Sequence, residues 1–206
     1  KTWNFMLSGP SGSGRYSSRY DIKWETSKRY ADIILNSDNY LGLHGSYFAA
    51  DQDSYLTEKQ RIEDYTSSKI ISHRNHYLRF NPFKIASQLE KAGFNYDFSV
   101  GYSGLIGFRS GVANKYKLYN FQEERKSSVT EIPLLFMERD SHLENQEDTL
   151  DVIKKSLEVV KVNNGCVSIL FHPSSFLINS EWFSFYEKIM KLCCDLGADV
   201  SGKLTD

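Results

Sequence analysis

Short apolar runs alternate along this chain with longer stretches in which apolar residues recur at every third or fourth position. The runs suit strands and the longer stretches suit helices packed on them. Residues 2–7 predict a strand, and 8–14, all Ser, Gly and Pro, a flexible loop. The stretch 24–37 predicts a helix with Ala31, Ile34 and Leu35 on its apolar side, and 40–43 a short strand delivering His44-Gly45-Ser46-Tyr47. Thr57 with Gln60 forms a capping-box pattern for a helix reaching Thr66, and Ile70-Ile71 predicts the next strand. Asn81, Pro82 and Gly93 bracket a helix carrying Phe83, Ala86 and Leu89 on one face. A strand at 96–100, a glycine-rich loop at 101–111 and a strand at 129–137 follow. The helix at 146–162 aligns Leu150, Ile153, Leu157 and Val160 and stops at Asn163-Asn164-Gly165. The unbroken apolar run 166–171 suits a strand covered on both faces and ends at His172. A last helix at 181–196 buries Phe183, Tyr186, Ile189, Met190 and Cys193, and 198–200 begins a closing strand. Six or seven strands separated by about five helices imply a parallel sheet, either open and doubly wound or closed as a barrel.

Composition narrows the function more than the fold. The 206 residues suit a single domain spanning 1–206, and a net charge of −1 gives no global field for nucleic acid or an anionic membrane as the main partner. No apolar run approaches the roughly 18 residues of a membrane span. Aromatic residues make up 14% of the chain, enough for both a packed core and a sugar-facing cleft, with the core the larger claimant. Cys166, Cys193 and Cys194 have no CxxC spacing and suit reduced, buried thiols, which leans towards the cytoplasm. The chain opens at Lys1 and runs almost at once into an apolar segment, as a domain entered in mid-course would.

The candidate chemistry lies just after the predicted strands. The segment Ser72-His73-Arg74-Asn75-His76-Tyr77-Leu78-Arg79-Phe80 mixes cations, imidazoles and aromatic rings in a way that suits neither a core strand nor a solvated loop. His44, Arg74, His76 and His172 each follow a strand, and parallel strands point their C-terminal ends one way, so these four are expected to meet on one face; His73 and His142 are left over. One histidine alone is more often structural. The glycines of 8–14 suggest a phosphate loop, but Arg15-Tyr16-Ser17-Ser18 stands where Gly-Lys-Ser/Thr would enter a helix.

His44-Gly45-Ser46-Tyr47, Arg74 to Arg79, Tyr96 to Ser99, Gly107 to Gly111, Glu131 to Leu134 and the Leu170-Phe171-His172 ending together resemble the successive motifs of the polysaccharide deacetylases, carbohydrate esterase family 4, with the NodB-homology fold. The similarity is greatest to a bacterial deacetylase-like branch and extends over nearly the whole chain. It implies a distorted (β/α)7 barrel, incomplete at its N-terminus, and a hydrolase that removes N-acetyl groups from a sugar or polysaccharide. By that resemblance a divalent metal, zinc foremost, polarises the acetamide and activates a water, and His172 is the general acid. Asp97 would orient His172, Arg74 would orient the catalytic base, His44 would ligate the metal, and Tyr47, Tyr77 and Arg109 would contact substrate.

The sequence departs from the family pattern twice. Phe48 stands where the second metal histidine falls, which leaves His76 as the substitute. The strand that supplies the catalytic base and a metal-binding Asp would precede residue 2, and Asp21 is the early carboxylate left to consider. A non-catalytic carbohydrate-binding or interaction domain on the same fold is the rival reading, with aromatic rings and Arg109 gripping glycan. An open-sheet phosphate-binding enzyme built on 8–14 is a weaker third.

Overall fold

The computed structural model describes residues 1–138 and 146–204, so His142 lies outside the described residues. The chain divides into two compact units, one of Lys1–Ser99 with Tyr116–Glu131, the other of Val100–Lys115 with Ile132–Asp206.

The first unit is a six-stranded sheet with three helices. Its strands are β1 (Trp3–Leu7), β2 (Tyr40–Gly45), β3 (Ser72–Asn75), β4 (Tyr96–Asp97), β5 (Tyr116–Asn120) and β6 (Arg125–Glu131), in the order β1-β2-β3-β4-β6-β5. All neighbours are parallel except the β5–β6 hairpin. The register sets Met6, Leu43, His73 and Asp97 in one row and Leu7, His44 and Arg74 in the next, so the rows point to opposite faces. One face is covered by α1 (Glu25–Asn36), α2 (Gln52–Thr66) and α3 (Ile85–Lys91), whose Ala31, Ile34, Ile62 and Leu89 join Met6 and Leu43 in the core. The other face carries contacting rings of Trp3, Phe5, Tyr40, Tyr96 and Phe98.

Several boundaries move for physical reasons. α2 starts at Gln52, not at Thr57, because Asp51 accepts from the Ser54 amide at 2.8 Å and caps the helix earlier. β3 is Ser72–Asn75 rather than Ile70-Ile71, so the first four residues of the polar segment expected to follow a strand are themselves a fully buried strand. The hairpin β5–β6 falls in a stretch read as a polar excursion, since Lys117, Arg125 and Lys126 lie on exposed positions of an edge ribbon. The expected strand 129–137 splits at Ile132-Pro133, where proline has no N–H for the ladder, and its halves belong to different units. Residues 8–14 are no phosphate loop: Gly12 donates to Ser18, and no helix begins before Glu25.

The second unit pairs β7 (Leu134–Met137) with β8 (Ser168–Leu170) in parallel and adds α4 (Gln146–Val162), α5 (Pro173–Ile178) and α6 (Glu181–Asp195). Leu135, Phe136, Ile153, Leu157, Phe185 and Ile189 form its core. Gly165 is required there, because a Cβ would stand 1.9 Å from the Ala113 carbonyl oxygen. α5 was not foreseen; Pro173 at its first turn starts it directly after His172. Residues 198–200 form no strand, and of the three cysteines Cys193 alone is buried, Cys194 being exposed. The molecule is thus a mixed α/β fold with a mostly parallel main sheet; among the described residues the strand pairing includes no closure into a barrel. No described helix is long and apolar enough to cross a membrane.

Candidate functional site

In the first unit, His44, Tyr47, His76 and Tyr77 come together where β2 and β3 end. β3 is followed by a tight reversal in which Tyr77 (φ 60°) and Leu78 (φ 51°) are both left-handed, an uncommon state for such side chains. Asn75 holds it closed, its amide donating to the Arg79 carbonyl at 2.8 Å, while its Oδ1 accepts from Tyr55 and its backbone N–H reaches Ser99.

The His44 and His76 rings lie edge to face with centroids 5.0 Å apart. Two imidazoles on one tetrahedral zinc, with Zn–N near 2.0–2.1 Å, place their ring centres roughly 5 Å apart, a separation that this pair shares with an ordinary edge-to-face ring contact. His44 Nδ1 lies 2.8 Å from the Arg74 carbonyl, which can only accept, so in the neutral ring Nδ1 carries the proton and Nε2 the lone pair. Among the described residues no three His, Cys, Asp or Glu side chains group closely enough for a complete metal site. Phe48, at the position of the resembled second histidine, is an exposed ring.

Beside the histidines sits a tyrosine cluster. Tyr16 stacks on Tyr47 at 3.9 Å, and Tyr77 meets both rings edge-on. The Arg79 guanidinium lies over the Tyr47 ring at 4.5 Å and donates to the Tyr47 carbonyl. Tyr47 is therefore sandwiched between Tyr16 and Arg79, and the ring that presents itself to a ligand is Tyr77, about half exposed.

Arg74 and Asp97 occupy different surroundings from those expected. Arg74 is buried, donates from Nε to the Phe98 carbonyl at 3.0 Å and lies over the Phe5 and Phe98 rings. Burial pushes its guanidinium down to about 10 against the pull of Glu131 and Asp97, which leaves it charged at neutral pH. Asp97 is fully buried on the helix-covered side, where it accepts from His73 Nδ1 at 2.9 Å and from Ser99 Oγ at 2.6 Å. The carboxylate expected to orient His172 is thus engaged with His73 instead.

In the second unit that carboxylate is Glu138. Its Oε1 accepts from both the backbone N–H and Nδ1 of His172 at 2.9 Å, and also from Ser175 Oγ. Burial alone would push the Glu138 carboxyl up; hydrogen bonds and charge from His172, with Ser175, outweigh it and hold the carboxyl below its ordinary value. The bond commits His172 Nδ1 as donor, and the His172 side chain is 30% exposed, so Nε2 is the nitrogen able to exchange a proton. Arg109 is exposed on the loop after Gly101, with Nη1 on the Gly101 carbonyl at 3.3 Å. Glu138 follows β7 as His172 follows β8, so the strand-end rule would have found it; nothing in the sequence marks Tyr16 or Asn75.

No protein-family model matches the sequence, and no curated protein matches it. Among solved structures, a protein assigned as a polysaccharide deacetylase from Mycobacterium smegmatis superposes with a TM-score of 0.58 at 14% identity, covering 84% of this chain and 63% of its own length. Two structures of a CE4 family pseudoenzyme mutant, one with restored enzymatic activity, match at 10% identity with TM-scores of 0.43 and 0.42, each covering 81% of this chain and 48% of theirs. The chain therefore spans less than two thirds of the length of each of these three structures, and what it shares with the first of them is the fold.

Proposed function

We propose that this chain is a metal-dependent hydrolase of the polysaccharide deacetylase type, removing N-acetyl groups from a sugar or polysaccharide on a distorted (β/α)7 barrel. The observation that carries the reading is the His44–His76 pair, at a spacing suited to one metal and with the His44 tautomer fixed by the Arg74 carbonyl. His44 and His76 would hold the metal. When bound, a divalent metal such as zinc polarises the acetamide carbonyl and acidifies a water. Within the second unit Glu138 holds His172 with Nδ1 protonated, so the general-acid role that the resemblance gives His172 would fall to Nε2. Tyr77 supplies the sugar-stacking ring, and Tyr47 braces it. Arg74 acts on the site through its backbone, by fixing His44. Acetate release from an N-acetylated oligosaccharide is the test: His172→Ala should lose about 10²-fold or more in kcat, the lower range of general-acid contributions. Unchanged kcat would remove His172 from the mechanism.

A second reading is a catalytically inactive carbohydrate-binding domain, supported by the half-exposed Tyr77 ring. It predicts sugar binding that depends on Tyr77 and survives both His44→Ala and His172→Ala, without acetate release.

A further inference from the structure

We infer that the tyrosine surface of the first unit takes an anionic saccharide, one bearing carboxylate or phosphate groups. This rests on the sugar-binding reading above and narrows it. The three segments that build the surface, residues 8–20, 39–50 and 65–89, contain no Asp or Glu, although the chain as a whole has 26 acidic and 25 basic residues. They do contain Arg15, Arg19 and Arg79, all exposed. Arg15 lies 5.5 Å from the centre of the Tyr16 ring and Arg79 lies 4.5 Å from that of Tyr47, so the stacked tyrosine pair carries two guanidiniums. Among the described residues neither Arg15 nor Arg79 forms an ion pair with a carboxylate. The acids next to these segments have other partners: Asp21 accepts from Ser11 Oγ and the Lys23 amide, Asp51 caps α2, and the Glu58 carboxylate accepts from the Ser46 amide.

A guanidinium stacked on an aromatic ring keeps its edge donors pointing outward, in the fork that suits carboxylate and phosphate. Arg79 commits one nitrogen to the Tyr47 carbonyl, which fixes the plane of the fork without neutralising it. Tyr77, half exposed, offers an apolar ring to a pyranose beside these cations. A neutral glycan would use the ring and leave both charges without partners, whereas an acidic one uses both.

The experiment is calorimetric titration of the chain with three probes: an oligogalacturonate (carboxylate), a phosphorylated mannan fragment (phosphate) and a neutral chito-oligosaccharide. At least one acidic probe should bind about tenfold or more tighter than the neutral one, as one charge-assisted hydrogen bond would give, and the preference should weaken with added salt. Which acidic probe binds distinguishes carboxylate from phosphate. Arg15→Gln, at an exposed position, and Arg79→Gln should each reduce the preference, and Tyr77→Ala should weaken all probes alike. Equal binding of acidic and neutral probes, or a preference unchanged in both arginine variants, would overturn this inference and leave the sugar-binding reading standing. No binding of any probe would overturn both, and tighter binding of a single-stranded homopolynucleotide than of any saccharide would replace the glycan with nucleic acid.

Discussion

At the scale of single residues, chemistry here is set by what each imidazole's Nδ1 touches. His44 Nδ1 meets a backbone carbonyl, His172 Nδ1 a buried glutamate, and His73 Nδ1 a buried aspartate, so the three rings carry different roles despite similar sequence settings. Glu138→Gln tests this for His172: nitrogen NMR of the wild type should show the Nδ1–H tautomer alone, and the variant a mixture of tautomers. A single unchanged tautomer in the variant would mean that Glu138 does not set it. Strand-end position was enough to nominate His44, His76 and His172 from sequence. Asp97 was nominated by the resemblance and not by strand-end position; alternation along β4 turns that carboxylate into the helix-covered core, and a two-residue strand gives no readable pattern for which side faces inward. His73, set aside in the sequence reading, is Asp97's partner for the same reason of register.

Between elements, short polar ties replace apolar contact where strands end. Asn75 is one: its side chain bonds both Tyr55 on α2 and the Arg79 carbonyl, closing the reversal that carries His76 and Tyr77. Asn75→Ala should cost about 1–3 kcal/mol by urea unfolding, the range for leaving buried polar partners unsatisfied. A change within a few tenths of a kcal/mol would show that the turn is held by other contacts. Glu90 on α3 is a second tie, gathering the Arg125 guanidinium, the Ser128 amide and Asn120 from the β5–β6 hairpin. Burial alone would raise its carboxyl, but these partners hold it down to about 2 against an ordinary 4.5. A depressed carboxylate stabilises the fold above its unfolded value, so this contribution is complete above about pH 4.5 and fades as pH falls towards 2. Glu90→Gln should flatten the pH dependence of unfolding in that window; an identical slope would remove Glu90 as its source. The helices 24–37 and 146–162 were legible because their apolar stripes and end signals agree, and 81–93 was legible as a helix although it begins at Ile85 rather than Pro82 and leaves Phe83 exposed; the hairpin was not, since an edge ribbon with exposed Lys117, Arg125 and Lys126 looks like a loop.

For the whole molecule, alternation of strand and helix correctly indicated a mostly parallel α/β architecture, and the solved deacetylase structure shares it at 14% identity. Division into two units was not legible, because the break at Ile132-Pro133 falls inside the stretch 129–137, which suits a single strand, and the second unit reaches back for residues 100–115. Pattern reading follows the chain in order, whereas the units are assembled from segments distant in sequence. Function rests above all on whether His44 and His76 bind a metal together. Elemental analysis of the purified chain, with His44→Ala and His76→Ala alongside, measures this directly. The proposal predicts near-stoichiometric zinc or another divalent metal in the wild type and its loss in both variants. A wild-type chain that holds no metal even after incubation with zinc, or variants that retain it fully, would contradict the two-histidine centre and the deacetylase reading built on it.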